Sequence, residues 1–206
     1  MPATSGRRAE TADDTSVRQR VLNAAFAAFT EAGYAETSTL EIASRARVSK
    51  RELYAVGNKQ ELLVACISER AKRLQVPTDL PEVHDRAELE HALVALGTRL
   101  LSETTNPTVI AVFRLAVAEA VRAPEVARVL DSSGRQVSRA ALAQVMATAR
   151  ARGLLADDSA DLVDQFADLL WGDLMITLLL GIAETPSPGD IDRRARRAAT
   201  AFLRLH

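Results

Sequence analysis

The chain has 206 residues, of which 48% are hydrophobic and 26% are charged, and its formal net charge is −1. This apolar content is too high for a disordered chain, and the length suffices for one large domain or two small ones. The near-neutral charge argues against a protein that coats nucleic acid over its whole surface. Few glycines, prolines and aromatic residues favour packed helices over strands.

A polar stretch opens the chain, and we expect residues 1–14 to be disordered. Apolar residues then recur at helical spacing from about Ser16 to Ala32, which predicts helix one, and Gly33 suits a left-handed backbone just past its end. The opening stretch lacks the apolar run of a signal peptide, so we expect a soluble, cytoplasmic protein. The most apolar run, 169–183, is too short to span a bilayer and contains Asp173.

Helix two is predicted over about Leu40–Ala46, with Leu40, Ile42 and Ala43 on its buried side. Candidates for its N-cap are Thr37, Ser38 and Thr39. Ser49 is placed to cap helix three, and Glu52, three residues later, completes a capping box. The same signature at Asn58 and Glu61 starts helix four, which we expect to continue to about Gln75.

Pro77 and Pro81 interrupt the helical pattern, so we place a domain boundary after residue 76. The first domain then spans 15–76 and the second spans 77–206. Every patterned segment of the second domain is helical, which predicts an all-α protein. Its expected helices are 85–102, 108–121, a short helix opened by Pro124, then 133–152, 159–183 and 188–206.

Cations are concentrated around predicted helix three. Five of them lie from Arg45 to Lys59 against one acid, Glu52. Such a patch is typical of a DNA-binding module, and a solvated helix face is the alternative interpretation.

The first helices resemble the DNA-binding domain of the tetracycline-repressor (TetR) family. The matching segments are Val21-Leu22-x-Ala24-Ala25, Phe29-x-Glu31-x-Gly33-Tyr34-x-x-Thr37-Ser38, Ile42-Ala43-x-x-Ala46, Val48-Ser49-x-x-x-Leu53-Tyr54 and Lys59-x-x-Leu62. The remainder, including Phe113-Arg114-Leu115 to Glu119 and Ala140 to Gly153, is similar to the AefR-type C-terminal domain of that family.

The resemblance implies an all-helical homodimer that regulates transcription, has no enzymatic activity and needs no cofactor or metal. Each N-terminal helix-turn-helix domain would place helix three in a major groove of a palindromic operator. The C-terminal domain would bind a small-molecule effector and form the dimer through helices 159–183 and 188–205. Repression that the effector relieves is the family's usual activity.

Within the motif, Tyr54 resembles a phosphate contact, and Thr39 and Lys59 stand at helix starts where backbone N–H groups can bind phosphate. Lys50 and Arg51 at the start of helix three are candidates for base or phosphate contacts. The full set of predicted DNA contacts is Thr39, Arg45, Arg47, Ser49, Lys50, Arg51, Tyr54 and Lys59.

The sequence departs from the family pattern at two places. Arg47 occupies the turn position where the family usually has glycine, and it is either an added cation facing DNA or a residue that the turn tolerates. The segment between Tyr54 and Lys59 is one residue short and lacks the usual histidine, which puts the position of Lys59 in question.

Bulky side chains of the second domain are candidates for lining an effector pocket, although plain core residues would show the same spacing. They are Phe113, Met146, Phe166, Trp171 and Met175. A pocket rich in alanine and leucine indicates an apolar effector. We expect Asp164 and Asp168 to be solvated, whereas Asp173 lies within an apolar run and should pair with an arginine or meet a polar part of the ligand.

Two other classes of protein remain as alternatives. Glu88-x-x-His91 has the spacing of a di-iron helical-bundle enzyme, but the other histidines lack a matching acid. A helical interaction protein could instead use the basic patch to bind an acidic partner. Cys66, the single cysteine, excludes a disulfide framework, and we expect it on the inner side of a helix.

Overall fold

A computed structural model of the chain describes residues 6–71, 83–155 and 161–206, and every regular element within these ranges is helical. The helices are α1 Gly6–Ala32, α2 Thr39–Ala46, α3 Lys50–Val56, α4 Lys59–Ala71, α5 Arg86–Thr104, α6 Pro107–Glu119, α7 Pro124–Leu130, a π-helical turn Asp131–Arg135, α8 Gln136–Ala151, α9 Leu162–Trp171, α10 Leu174–Leu180 and α11 Pro188–Leu205. The all-α prediction is confirmed. No described helix is both long enough and apolar enough to cross a membrane.

The chain divides into two compact units. The N-terminal unit comprises residues 1–71 and 114–130, and the C-terminal unit comprises residues 72–113 and 131–206. The N-terminal unit therefore takes in α7 and the second half of α6, which the sequence did not indicate. The predicted boundary near residue 76, the end of helix four at Gln75 and the start of a helix at Ser159 lie outside the described residues.

Helix α1 begins at Gly6, well before the predicted start at Ser16. The helix thus includes residues 6–14, which we expected to belong to a disordered tail. The segment has no proline, and no glycine after its first residue, so nothing in it breaks a helix. Residues 1–5 are outside the described ranges.

The core of the N-terminal unit forms where α1 packs on α2 and α4. Its fully buried side chains include Leu22, Phe29, Ile42, Leu53, Leu62, Leu63 and Ile67. Cys66 is buried among them as expected, its thiol donates to the Leu22 carbonyl at 3.1 Å, and burial raises its pKa to about 12. A thiol with that pKa stays protonated at neutral pH and is a poor nucleophile.

Helix α2 buries a different set of residues from the predicted one. Ile42 and Ala43 are buried, but the Leu40 side chain is 73% exposed, so its predicted burial is wrong. The third buried residue of the helix is Ala46, one turn after Ile42. Leu40 lies two positions before Ile42, about 200° away around the helix, and therefore faces away from the core.

The core of the C-terminal unit is built from α5, α8, α9 and α11. Phe166 and Phe202 meet edge to face at its centre, with ring centroids 5.6 Å apart. Gly97 permits the close packing of α5, because a Cβ atom there would lie 3.1 Å from Leu170 Cδ1 and 3.4 Å from Ala195 Cβ. The predicted last helix is confirmed, and the capping box formed by Ser187 and Asp190 starts it.

The apolar segment predicted as one helix over 159–183 is two helices, α9 and α10. Gly172 ends α9 with φ 45° and ψ −125°, a conformation that favours glycine. Arg194 of α11 donates to the carbonyl oxygens of Leu170 at 2.7 Å and Trp171 at 2.6 Å, which satisfies the end of α9. Asp173, predicted to pair with an arginine or with a polar part of the ligand, lies on the surface, and its carboxylate is 3.8 Å from the Arg194 guanidinium.

Candidate DNA-binding surface and ligand cavity

Helix α3 is held in place by its start and by one buried side chain. Ser49 accepts from the Glu52 backbone N–H at 3.2 Å, and Glu52 accepts from the Ser49 N–H at 2.7 Å, so the predicted capping box is confirmed. Leu53 is fully buried, whereas Lys50 and Arg51 are exposed at the first turn. The helix therefore turns both cations toward solvent.

The turn between α2 and α3 contains a left-handed residue that is not glycine. Arg47 has φ 55° and ψ 49°, and it is the single non-glycine residue with positive φ in the part of the chain that the structure describes. Its backbone N–H donates to the Ser44 carbonyl at 3.2 Å, and the next N–H, of Val48, donates to Ala43 at 3.1 Å. The turn thus satisfies the end of α2 while the Arg47 side chain remains exposed.

Two predicted phosphate contacts lie side by side. The Thr39 and Tyr54 hydroxyl oxygens are 3.4 Å apart, which joins the start of α2 to α3. The Lys50 ammonium lies 5.8 Å from the centre of the Tyr54 ring. Two hydroxyl donors and one cation consequently share one exposed surface.

Lys59 is the first residue of α4, although the segment before it is one residue short. Gly57 is needed there, because a Cβ atom would come within 2.9 Å of the Glu61 Cβ atom. Asn58 caps α4 by accepting from the Glu61 N–H at 3.0 Å, as predicted. Lys59 Nζ donates to the Ala35 carbonyl at 3.1 Å and lies 4.5 Å from the centre of the Tyr34 ring, which keeps the ammonium at the helix start.

Arg45 differs from the other predicted contacts because two acids of the same unit bind it. Its guanidinium lies 2.6 Å from the Glu31 carboxylate and 2.9 Å from that of Glu41, and the hydrogen bond that Arg45 donates to Glu31 raises the pKa of Arg45. The structure thus uses Arg45 to join α2 to the end of α1. The sequence signal that could have distinguished this arginine is Glu41, four residues earlier on the same helix, because Arg47 and Arg51 have no acid at that spacing.

A cavity of about 360 Å³ lies within the C-terminal unit, in the size range of small-molecule sites. Both apolar and charged side chains line it. The apolar members are Leu100, Phe113, Leu142, Ala167, Trp171, Met175 and Leu179. The polar members are Arg99, Glu103, Thr104, Arg135, Ser138, Arg139, Asp164 and Asp168.

The cavity brings together three of the five predicted pocket residues. Phe113, Trp171 and Met175 line it. Phe166 and Met146 belong to the buried core and do not appear in the lining. Each predicted side chain is apolar and at helical spacing, so the sequence could not separate those facing the cavity from those facing α11.

The polar side chains that line the cavity were not recognised from the sequence as part of a site. Arg139 of α8 binds both carboxylate oxygens of Asp164 of α9, one of them at 2.9 Å, and this pairing lowers the pKa of Asp164. Trp171 Nε1 donates to the Thr104 hydroxyl at 3.2 Å. Asp164 and Asp168 are exposed as expected, yet both line the cavity.

The possible metal site at Glu88 and His91 is built differently from a di-iron site. The Glu88 carboxylate accepts from the backbone N–H of His84 at 2.8 Å and lies 2.9 Å from its ring Nδ1. The described residues contain no group of three or more histidine, cysteine or acidic side chains that could hold a metal ion.

A capped helix with exposed cations, fixed by one leucine and preceded by a second short helix, defines a helix-turn-helix DNA-binding protein. Residues 21–66 match the family described as bacterial regulatory proteins, tetR family. Residues 91–205 match the C-terminal domain of AefR-like transcriptional repressors. The chain therefore belongs to the TetR family of transcriptional regulators.

Solved structures agree with this assignment. A TetR regulator from Agrobacterium tumefaciens is 27% identical, with a TM-score of 0.80, 92% of this chain and 93% of that chain being covered. A flavonoid-responsive regulator, FrrA, is 30% identical, with a TM-score of 0.73 and coverages of 92% and 96%. A TetR regulator from Pseudomonas syringae pv. tomato is 27% identical, with a TM-score of 0.63 and coverages of 90% and 94%. Comparison with curated proteins gives no match.

Membership in the family decides between the classes that the sequence left open. The protein is a DNA-binding transcriptional regulator, and members of its family bind DNA as dimers and usually bind a small molecule as well. It is not an enzyme. The interpretations as a metal-dependent helical bundle and as a partner of acidic proteins are therefore set aside.

Proposed function

We propose that a dimer of this chain represses transcription by placing two copies of α3 in successive major grooves of a palindromic operator. The observation that supports this most directly is the α3 surface, where the exposed cations Lys50 and Arg51 stand on a helix fixed by Leu53 and by its capping box. Two-fold symmetric proteins bind sites whose halves are about one helical turn apart. A chromosomal target places this activity in the cytoplasm.

The proposed contacts fall into two groups. Thr39, Tyr54 and Lys59 bind phosphates, because hydroxyl and ammonium donors there flank the starts of α2 and α4, where backbone N–H groups favour anions. Lys50 and Arg51 contact base edges, Ser49 and Arg47 contact the backbone on either side, and Arg45 contributes to the module through its ion pairs.

We further propose that a small, mainly apolar effector binds in the cavity of the C-terminal unit and lowers operator affinity. Such an effector releases DNA only to the extent that it binds more tightly to the dimer that fits DNA poorly. The apolar wall formed by Phe113, Trp171 and Met175 supports this assignment. FrrA is by name responsive to flavonoids, which are planar hydroxylated aromatics, and we extend that class of effector to this chain.

Selection of bound sequences from random duplexes tests the proposal. We expect an enriched palindrome whose half-sites are separated by about ten base pairs or a multiple of that spacing. Enrichment that is absent even at low salt would contradict the proposal, because phosphate contacts strengthen as salt falls. A single unpaired half-site would contradict the symmetric arrangement while leaving DNA binding intact.

A further inference from the structure

Leu40 presents an apolar side chain on the surface of the N-terminal unit. It belongs to the first turn of α2, and its side chain is 73% exposed. Within residues 17–70, the exposed large apolar side chains are those of Leu40 and Tyr54. A single exposed leucine is ordinary on a protein surface. The position of this one, beside the proposed DNA contacts, distinguishes it from the others.

The start of α2 adjoins the surface of α3 that we assign to DNA. Thr39 precedes Leu40 in the chain, and its hydroxyl oxygen lies 3.4 Å from that of Tyr54. The Lys50 ammonium is 5.8 Å from the centre of the Tyr54 ring. Ser44, one turn after Leu40 on the same face of α2, is exposed as well. The exposed face of α2 at Leu40 is therefore next to two proposed phosphate contacts.

The charge beside Leu40 does not oppose the approach of DNA. Glu41 is the one acid of α2, and its carboxylate lies 2.9 Å from the Arg45 guanidinium, which balances its charge. Leu40 itself has no polar group with which to bind a phosphate. Its side chain contributes to a DNA contact only by burying apolar surface.

The major groove offers such a side chain one apolar group on the bases, the C5-methyl group of thymine. In a pyrimidine, C5 is bonded to C6, which lies above the sugar of the same nucleotide. The methyl group is therefore on the backbone side of the groove. A side chain that is flanked by phosphate contacts meets this group before it meets the hydrogen-bonding atoms nearer the centre of the groove.

We infer that Leu40 recognises a thymine in each operator half-site by packing against its C5-methyl group. The inference rests on the proposed function of α3 in the major groove. It adds a specificity-determining residue on α2, at a base pair beside those that Lys50 and Arg51 contact.

Replacement of thymine by uracil tests this contact, because uracil forms the same base pair and lacks only the methyl group. Each thymine of the selected operator is replaced in turn, at the same position of both half-sites, and the affinity of the full-length protein is measured. We expect one replacement to weaken binding by about fourfold per half-site, the effect of one buried methyl group. Leu40→Ala should bind the thymine operator at least as weakly, and the uracil replacement should have no further effect on this variant.

Two further variants sharpen the comparison. Leu40→Met keeps a long apolar side chain and should remain sensitive to the methyl group. Val117→Ala is the matched control, because Val117 is similarly exposed, at 66%, and belongs to the same unit but lies on α6. This control should be as sensitive to uracil as the unmodified protein. Urea midpoints of both alanine variants should stay nearly unchanged, which separates a lost DNA contact from a loss of folding.

The outcomes distinguish the inference from the proposed function. If no uracil replacement weakens binding, or if Leu40→Ala is as sensitive to uracil as the unmodified protein, the inference is wrong and the operator remains. Equal loss of affinity by Leu40→Ala for every duplex, operator or scrambled, would assign the side chain to a deoxyribose and would also overturn it. A selection that yields no operator at all contradicts the proposed function and this inference together.

Discussion

Arg47 holds a conformation that glycine adopts without steric cost, and it does so in the turn before α3. A left-handed non-glycine residue costs about 1 to 2 kcal/mol. Replacing it with glycine removes this strain, but glycine also stabilises the unfolded chain through its greater conformational entropy, so the net gain in stability is smaller. We therefore expect Arg47→Gly to raise the free energy of unfolding by about 0.5 kcal/mol. Urea denaturation measures this change.

The same substitution should weaken operator binding. It should also lower the slope of log affinity against log salt concentration by about 1, as expected for the loss of one phosphate contact. Arg47→Ala is the control, because it removes the cation but keeps the strained backbone. Both variants should lose affinity, whereas glycine alone should gain stability. Unchanged affinity of Arg47→Gly at low salt would show that this cation does not face DNA.

Tyr54 offers a test in which only one oxygen atom is removed. The residue is 49% exposed, and its hydroxyl contacts Thr39 at 3.4 Å, so Tyr54→Phe should leave the free energy of unfolding nearly unchanged. Loss of a phosphate hydrogen bond should weaken operator binding by about 1 kcal/mol, roughly fivefold. Because phosphates are common to all sequences, a scrambled duplex should be affected equally. An effect confined to the operator would instead assign the hydroxyl to base recognition.

At the scale of elements, the junction of α9 and α10 depends on one glycine. Gly172 has φ 45°, and a Cβ atom there would lie 3.0 Å from Arg194 Nη2, the group that binds the carbonyl oxygen of Trp171. We expect Gly172→Ala to lower the free energy of unfolding by about 2 kcal/mol and to shift Trp171 fluorescence. Gly153→Ala is the control: its φ is also positive, at 71°, but nothing lies within 4 Å of the added atom, so only about 1 kcal/mol should be lost.

The elements that the sequence predicted well are those fixed by neighbouring residues. The capping box at Ser49, the cap of α4 at Asn58 and the positive φ of Gly33 after α1 depend on residues only a few positions apart. The break at Gly172 was missed because Arg194, which satisfies the end of α9, is far away in the sequence.

The same distinction applies to the candidate site. The exposed start of α3 could be predicted from a local cap, but the pairing of Arg45 with Glu31 depends on how α2 packs on α1. Phe166 and Trp171 share one helix, yet one faces the core and the other faces the cavity. A helical pattern gives the faces of a helix but not the identity of the neighbour against each face.

For the whole molecule, several carboxylates link stability to pH. Hydrogen bonds from Ser49 hold the pKa of Glu52 below its ordinary value, and Arg139 does the same for Asp164. The pKa is lowered likewise at Glu88, Glu125, Asp131 and Asp190. A lowered folded-state pKa contributes stability above the ordinary value, about 4, and this stability is lost as pH falls through the folded-state value.

We therefore expect urea midpoints to be constant near neutral pH and to fall steadily from about pH 5 downward. Glu52→Gln cannot ionise, so the variant should be less stable near neutral pH and should approach the unmodified protein in acid. A variant that remained less stable by the same amount at all pH values would indicate that shape, and not charge, makes Glu52 important.

Dimerisation provides the last prediction, because two half-sites are useful only to a protein with two copies of α3. The face of α10 exposes Ile176 at 54% and Leu180 at 65%, and Ile182 just beyond it is 75% exposed. Adjacent exposed apolar side chains are typical of a protein interface, and the family resemblance assigns this part of the chain to the dimer. We expect the double variant Ile176→Lys, Leu180→Lys to sediment as a monomer, since two buried like charges would oppose each other across a two-fold axis.

A monomer has only one α3 with which to bind DNA. In a dimer, binding of one α3 to its half-site raises the effective concentration of the other α3 at the second half-site, and a monomer loses this gain. Its operator affinity should therefore fall by about a hundredfold or more, while its affinity for a single half-site should be unchanged. Val121→Lys is the control: Val121 is 95% exposed and belongs to the N-terminal unit, outside the predicted interface. If the double variant stays dimeric, the dimer forms through another surface, and if it is monomeric but binds the full operator normally, the symmetric arrangement of α3 is wrong.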